Sequence, residues 1–262
     1  MKYLAITEYA TEELIKIFAK ETVNLPEDKA KDFFHPPEDY LLAIDSPPIF
    51  VVADGVTLNF KKLIETNQKY PNPSPAGIVA KIFCEAVIKI GAKKYDNLNE
   101  KEIVEIFKAA NNEVKKYNEK VGKSEICGNI TGFYAATGAF LIIKENKVYW
   151  ATICDSFVAH FDKDMKLKFI SSGNCSPYAV INGEDRMANY LEKGVLYLEK
   201  DDRLFVFTDG FENYMKDENF LKIFKDWDDG LREKIKQYSE KMNLQDPRKY
   251  GKERSLIAVL FN

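Results

Sequence analysis

Apolar positions along this chain fall into two rhythms, one of helical spacing and one of short continuous runs. Residues 11–22 set Leu14, Ile17 and Phe18 on one face and Glu12, Glu13, Lys16 and Lys20 on the other, which predicts an amphipathic helix. A polar stretch holding Pro26, Pro36 and Pro37 follows. Next come two apolar runs of strand length, residues 40–44 and 49–53, separated by Asp45-Ser46-Pro47-Pro48, which reads as a hairpin of buried strands. Pro75 occupies a first-turn position, and Ile78, Val79, Ile82, Phe83, Ala86, Val87 and Ile90 continue at helical spacing up to Gly91. A second long helix is predicted through about 99–119.

From Phe133 the rhythm changes to strands, roughly 133–143, 147–154, 156–162 and 166–171, whose short turns imply a meander. Residues 173–194 are rich in Gly, Asn and Pro and read as a long surface loop or flap. Strands resume near 195–199 and 203–208, residues 211–243 read as helical with a break at Asp228-Asp229-Gly230, and 256–261 supply a closing strand. The expected architecture is α+β, a four-layer αββα sandwich of two antiparallel sheets flanked by helix pairs, with 1–262 forming one domain and 1–37 as its divergent start.

Composition narrows the partners. With 45% hydrophobic and 30% charged residues the chain is long enough for a substantial core, and a net charge of −3 leaves no basic field to hold nucleic acid. The basic group Lys115, Lys116, Lys120 and Lys123 at the end of the second long helix reads as a solvated face complementing the helix dipole. Acidic residues Glu8, Glu12 and Glu13 interrupt the start before any apolar stretch reaches signal-peptide length, and no run approaches a membrane span, so a cytoplasmic protein is expected. Cys84, Cys127, Cys154 and Cys175 lie far apart with only His35 and His160 for company; no zinc spacing can be assembled, and they read as free thiols. Neither histidine accompanies a Gly-x-Ser-x-Gly nucleophile motif, which argues against serine-hydrolase chemistry.

The chemistry lies where apolar strands end. Residues 49–53 run into Asp54-Gly55, 150–154 into Asp155-Ser156, and 204–208 into Asp209-Gly210. One Asp-Gly alone is a plain turn dipeptide, but a strand buried on both sides displays charge only at its end. Repeated strand-end aspartates can therefore meet at one edge of a sandwich, where mutual repulsion favours hard divalent cations such as Mg²⁺ or Mn²⁺.

In order and approximate spacing, Glu38-Asp39, Asp54-Gly55, Ala136-Thr137-Gly138-Ala139, Cys154-Asp155-Ser156 and Asp209-Gly210 resemble the motifs of the metal-dependent serine/threonine protein phosphatases of type 2C, the PPM family, from about residue 38 to the end. The resemblance implies a centre of two Mn²⁺ or Mg²⁺ ions, with Asp54 as the bridging ligand, Asp209 on one ion, the Gly55 carbonyl on the other, Glu38 and Asp39 acting partly through water, and Asp155 helping a weaker third ion. It also implies in-line attack of an activated water on a phosphoprotein substrate, with Asp54 and Asp209 central to catalysis.

Departures from the family pattern are specific. At the terminal acidic pair the chain reads Gly251-Lys252-Glu253-Arg254-Ser255, so Lys252 stands where a metal-binding aspartate is usual; either Glu253 reaches in by a one-residue shift or the ammonium takes part of the space of one ion. The phosphate-binding arginine expected four residues before Glu38-Asp39 is Phe34, with His35 as the nearest polar substitute and a further candidate for catalysis. Asn213 stands where many members have another acid, and Val56-Thr57-Leu58 where further glycines are usual. The alternative to an enzyme is a pseudophosphatase that binds a phosphoprotein or a regulatory partner without turning it over.

Overall fold

A computed structural model describes residues 1–21, 23–25 and 34–262; Thr22 and residues 26–33, among them Pro26 of the polar stretch, lie outside the described residues. Strands β1 (Lys2–Glu8), β2 (Asp39–Asp45), β3 (Pro48–Gly55), β4 (Ala136–Lys144), β5 (Lys147–Ile153), β6 (Phe157–Phe161), β7 (Leu167–Ile170), β8 (Glu192–Tyr197), β9 (Arg203–Phe207) and β10 (Arg254–Leu260) form two five-stranded sheets. Their orders are β1-β10-β9-β6-β7 and β2-β3-β4-β5-β8, with every pairing antiparallel.

Successive strand residues point to opposite faces, and that alternation sorts the core into layers. In β3, Phe50 and Val52 face the other sheet, packing with Leu141 of the neighbouring β4 and, across the layer, with Val206, Ile257 and Val259, while Ile49, Val51 and Ala53 face outward. Helices α3 (Pro75–Lys94) and α4 (Glu100–Val121) cover that outer face through Val79, Phe83, Ile106 and Phe107. On the opposite side, the short helices α5 (Glu212–Met215) and α6 (Glu218–Lys222) and the longer α7 (Leu231–Gln245) bury Phe205, Phe207 and Leu256 of the other sheet. The four-layer αββα arrangement expected from the sequence is therefore the one observed.

Several local expectations are corrected. No element is expected ahead of the helix at 11–22, yet residues 2–8 form β1, which has only Ile6 buried and pairs with β10 along its whole length. The hexapeptide helix α2 (Phe60–Glu65) is equally short of signal. The meander is broken after β5: instead of returning as a hairpin, the chain crosses to the other sheet and β6 pairs with β9. At the crossing, Cys154 adopts φ 61°, a left-handed conformation uncommon outside glycine, which turns the chain at Asp155. Nor is 173–194 a surface loop throughout. Ala179, Val180, Ile181 and Asn182 are buried, Ile181 exchanges backbone hydrogen bonds with Ala136, and β8 begins at Glu192.

Cys154 and Cys175 are joined by a disulfide with their Cα atoms 4.3 Å apart, which overturns the reading of these two as free thiols; Cys84 and Cys127 are free and buried. Among the described residues no helix is long and apolar enough to cross a membrane.

Candidate metal centre

The strand alternation that builds the inter-sheet core also builds the site. Continuing the inward-facing set of each strand by one step gives Asp39 beyond Leu41, Asp54 beyond Val52, Thr137 beyond Ala139, Ser156 before Val158, Thr208 beyond Val206 and Ser255 before Ile257. These polar residues gather at one end of the inter-sheet layer. Strand register fixes their neighbours, with Asp54 opposite Asp39 on one side and Thr137 on the other. Hydrogen bonds close the group: Thr208 donates to Asp39 Oδ2 at 2.8 Å, the Ser255 amide donates to Thr208 Oγ1 at 2.9 Å, and the Thr137 and Ser156 hydroxyls lie 2.9 Å apart.

Asp54, Asp209, Glu38, Glu253 and His35 line one pocket of about 360 Å³. Asp39 lies behind them, buried, and lines a groove on the other side of β2. Asp155 is close enough for its charge to act on Asp54 and Lys252. Gly55 is buried beneath the start of α3, where a Cβ would come within 2.7 Å of the Ala76 carbonyl carbon, so only glycine lets the helix approach this strand end. The carboxylates reasoned from strand ends thus converge.

The electrostatics are those of an uncompensated anionic site. Burial, followed by the charges of Asp39, Asp209, Glu38 and Asp155, pushes the Asp54 carboxyl well above the usual carboxylate range. Burial and Glu253 do the same to Asp39, and burial, with a smaller push from the Glu38 charge, raises Glu253 against the amides of Glu38 and Asp39. Two buried oxygens, Asp39 Oδ1 and Glu253 Oε1, have no hydrogen-bond partner among the described residues. Hard oxygen donors that repel one another and lack partners are the donor set that suits Mg²⁺ or Mn²⁺.

Glu38 is different. Tyr70 donates to its Oε1 at 2.6 Å, the Ser74 hydroxyl donates to the same oxygen, Thr57 donates to Oε2 at 3.1 Å, and His35 Nε2 stands 3.4 Å from Oε2. Ser74 also caps α3 by accepting from the Ala76 and Gly77 amides. With both oxygens engaged, Glu38 is suited to act on an ion through water. Tyr70, Ser74 and Thr57 escaped sequence reasoning because nothing local links them to residue 38.

Of the two alternatives at the terminal pair, the structure shows Lys252 paired with Asp209 at the pocket rim, its side chain half exposed. Lys252 Nζ lies 2.6 Å from Asp209 Oδ2. Burial works against the ammonium, but Asp209, Asp54 and Asp155 outweigh it and hold the Lys252 pKa above its ordinary value. Glu253 points elsewhere, with Oε2 accepting from the Glu38 amide at 2.9 Å. Arg248 also lines the pocket, and it pairs with Glu21 of α1 (Glu12–Glu21). The remaining wall is apolar, formed by Leu14, Ile15 and Phe18 of α1. Arg248 could not be connected to the site from sequence, since it lies in α8 (Pro247–Tyr250), far from Phe34 along the chain.

No curated protein matches the sequence. Solved structures do resemble the fold. The catalytic domain of the serine/threonine protein phosphatase PstP, in complex with 2 manganese ions, aligns at TM-score 0.61 and 12% identity over 100% of this chain and 98% of that one. PppA, a key regulatory component of T6SS in Pseudomonas aeruginosa, aligns at TM-score 0.63 and 11% identity over 99% and 97%. RsbX in complex with magnesium aligns at TM-score 0.55 and 11% identity over 98% and 94%. Identities this low speak for the fold, whereas the sequence model of protein phosphatase 2C matches residues 35–245, from His35 to the end of α7. Matched through its own sequence and folded as that family folds, the chain belongs to the protein phosphatase 2C family.

Proposed function

We propose that this protein hydrolyses phosphoserine or phosphothreonine in proteins with the help of Mg²⁺ or Mn²⁺, acting as one domain in the cytoplasm. The observation that carries the reading is the convergence of Asp54 and Asp209, from strand ends far apart in sequence, on one pocket. Asp54 and the Gly55 carbonyl would hold a cation directly, Glu38 would act through water, and Asp39, Asp155, Asp209 and Glu253 would complete the acidic surround. A bound divalent ion supplies acidification of a water molecule and neutralisation of phosphoryl charge.

The protein's own residues do the rest. Lys252 and Arg248 bring positive charge to the pocket, and the phosphoryl oxygens are its natural partners. His35, with its ring packed against Phe60 and Tyr70, holds Nε2 3.4 Å from Glu38 Oε2 and lies where an imidazole could pass a proton to a departing serine oxygen. Leu14, Ile15 and Phe18 exclude water from one side and give an apolar neighbour of the phosphorylated residue somewhere to pack.

One observation favours a second reading. The Lys252–Asp209 pair neutralises a carboxylate that a two-ion centre needs, which suits a pseudophosphatase that holds a phosphoprotein without hydrolysis. Phosphate release from a phosphoserine peptide, measured with and without Mn²⁺, separates the two. Release that requires Mn²⁺ and falls at least about 100-fold in Asp54→Asn supports the enzyme. Peptide binding without release supports the binding module.

A further inference from the structure

Asp209 already has a cation. Its Oδ2 lies 2.6 Å from Lys252 Nζ, while metal–oxygen distances for Mg²⁺ are about 2.1 Å. An ion bound to that oxygen would be a second cation on one carboxylate, about 4 Å or less from the ammonium, and the repulsion between the two charges disfavours it. The Lys252 side chain is half exposed, but its main chain is tied on both sides, which keeps the stem of the ammonium beside Asp209. Arg254, itself buried, donates to the Lys252 carbonyl at 2.7 Å and to the Tyr250 carbonyl at 2.9 Å, and the Gly251 amide donates to the Pro247 carbonyl at 2.8 Å. On the facing turn, a Cβ on Gly210 would collide with the Glu253 carbonyl, so the two segments are in direct backbone contact and Asp209 is held against Lys252.

Glu253 does not substitute for the displaced ligand. Its Oε2 is engaged with the Glu38 amide, which leaves only Oε1 without a partner. The Asp54 side is not blocked in this way: Asp54 is buried among like charges and forms no ion pair with lysine or arginine among the described residues. Donors suited to a divalent ion therefore remain around Asp54 and Gly55 and are lost around Asp209.

We infer that the centre takes a single divalent ion, on the Asp54–Gly55 side, and that Lys252 supplies a fixed cation on the Asp209 side in place of a second. The inference rests on the reading of this pocket as a divalent-ion site and deepens it by assigning stoichiometry and position. An ammonium carries one charge and cannot acidify water as a metal does. Its contribution is therefore to neutralise Asp209 and to meet phosphoryl oxygen, leaving activation of water to the one ion.

Mn²⁺ titration of the full chain, read by bound-metal stoichiometry and by electron paramagnetic resonance, tests it. The natural protein is expected to bind one Mn²⁺ with an uncoupled mononuclear spectrum. Asp54→Asn is expected to lose that ion, Asp209→Asn to keep it with affinity within about threefold, and Lys252→Asp to bind a second ion at least about tenfold more tightly than Lys252→Met does, with a spin-coupled spectrum. Two coupled ions in the natural protein overturn the inference and leave the phosphatase reading intact. Loss of the ion in Asp209→Asn also overturns it, and does so even should Lys252→Asp fail to fold. One ion without phosphate release leaves the inference standing and removes the phosphatase reading, whereas no Mn²⁺ binding in any form removes both.

Discussion

Thr208, at the end of β9, donates its hydroxyl to Asp39 of β2 at 2.8 Å and so ties the two sheets together at the floor of the site. The same oxygen accepts from the Ser255 amide at 2.9 Å, making Thr208 the joint of a three-residue relay. Thr208→Val keeps the shape and deletes both bonds. It is expected to cost roughly 1–3 kcal/mol in urea unfolding, because Asp39 Oδ2 would then lose its Thr208 donor in a buried site.

Asp54 illustrates a site that is costly to the fold. Burial and four neighbouring acids oppose its charge, so Asp54→Asn is expected to raise the melting temperature of the metal-free protein by at least about 2 °C. Mn²⁺ should then raise the melting temperature of the natural protein and leave the variant unchanged. Differential scanning calorimetry with and without Mn²⁺ checks both signs.

The Cys154–Cys175 disulfide fixes the start of the 173–194 segment against the residue preceding Asp155. A cross-link of this loop size contributes about 2–4 kcal/mol. Reduction with dithiothreitol, or Cys175→Ser, is expected to lower the unfolding midpoint by that order and to increase proteolysis within residues 172–178. The buried thiols of Cys84 and Cys127 should not respond to the same treatment.

Away from the site, His160 Nε2 donates to Asp202 Oδ2 at 2.7 Å, and the same oxygen accepts from the Glu199 amide at 2.9 Å and from Lys168 at 3.0 Å. Burial holds the His160 pKa below its ordinary 6.5. Burial opposes the Asp202 charge too, but the Glu199 amide, His160 and Lys168 outweigh it and keep the Asp202 pKa below 3.8. Depressed values mean that the unfolded chain takes up the protons first. The histidine contribution is therefore complete above pH 6.5 and is lost as pH falls below it, and the aspartate contribution is lost below 3.8. Urea midpoints measured from about pH 7.5 down to about pH 2 should fall in that order, with the lower step reduced in Asp202→Asn.

Much of the centre was legible because its makers are local. A buried strand that ends in aspartate carries its meaning in five or six consecutive residues, and Asp54, Asp155 and Asp209 each do so. The hairpin of β2 and β3 and the long helices were equally plain, since apolar spacing decides them. What escaped depends on distant partners. β1 is a strand only because β10 lies beside it, and β6 leaves its expected hairpin because Cys154 turns the chain across the sandwich. Residues 179–182 contain buried apolar groups, but their place beside Ala136 is set by tertiary pairing. The Cys154–Cys175 link, the three hydroxyls on Glu38 and the presence of Arg248 in the pocket belong to the same class.

Arg254 holds the Lys252 main chain by its carbonyl oxygen and makes no use of the lysine side chain. Residue 252 is in this sense a socket whose mounting is independent of what is plugged into it. Exchange between an ammonium and a carboxylate there needs no rebuilding of the scaffold, so the sign of the charge facing Asp209 can be reversed by a single substitution while the surrounding main chain keeps its bonds.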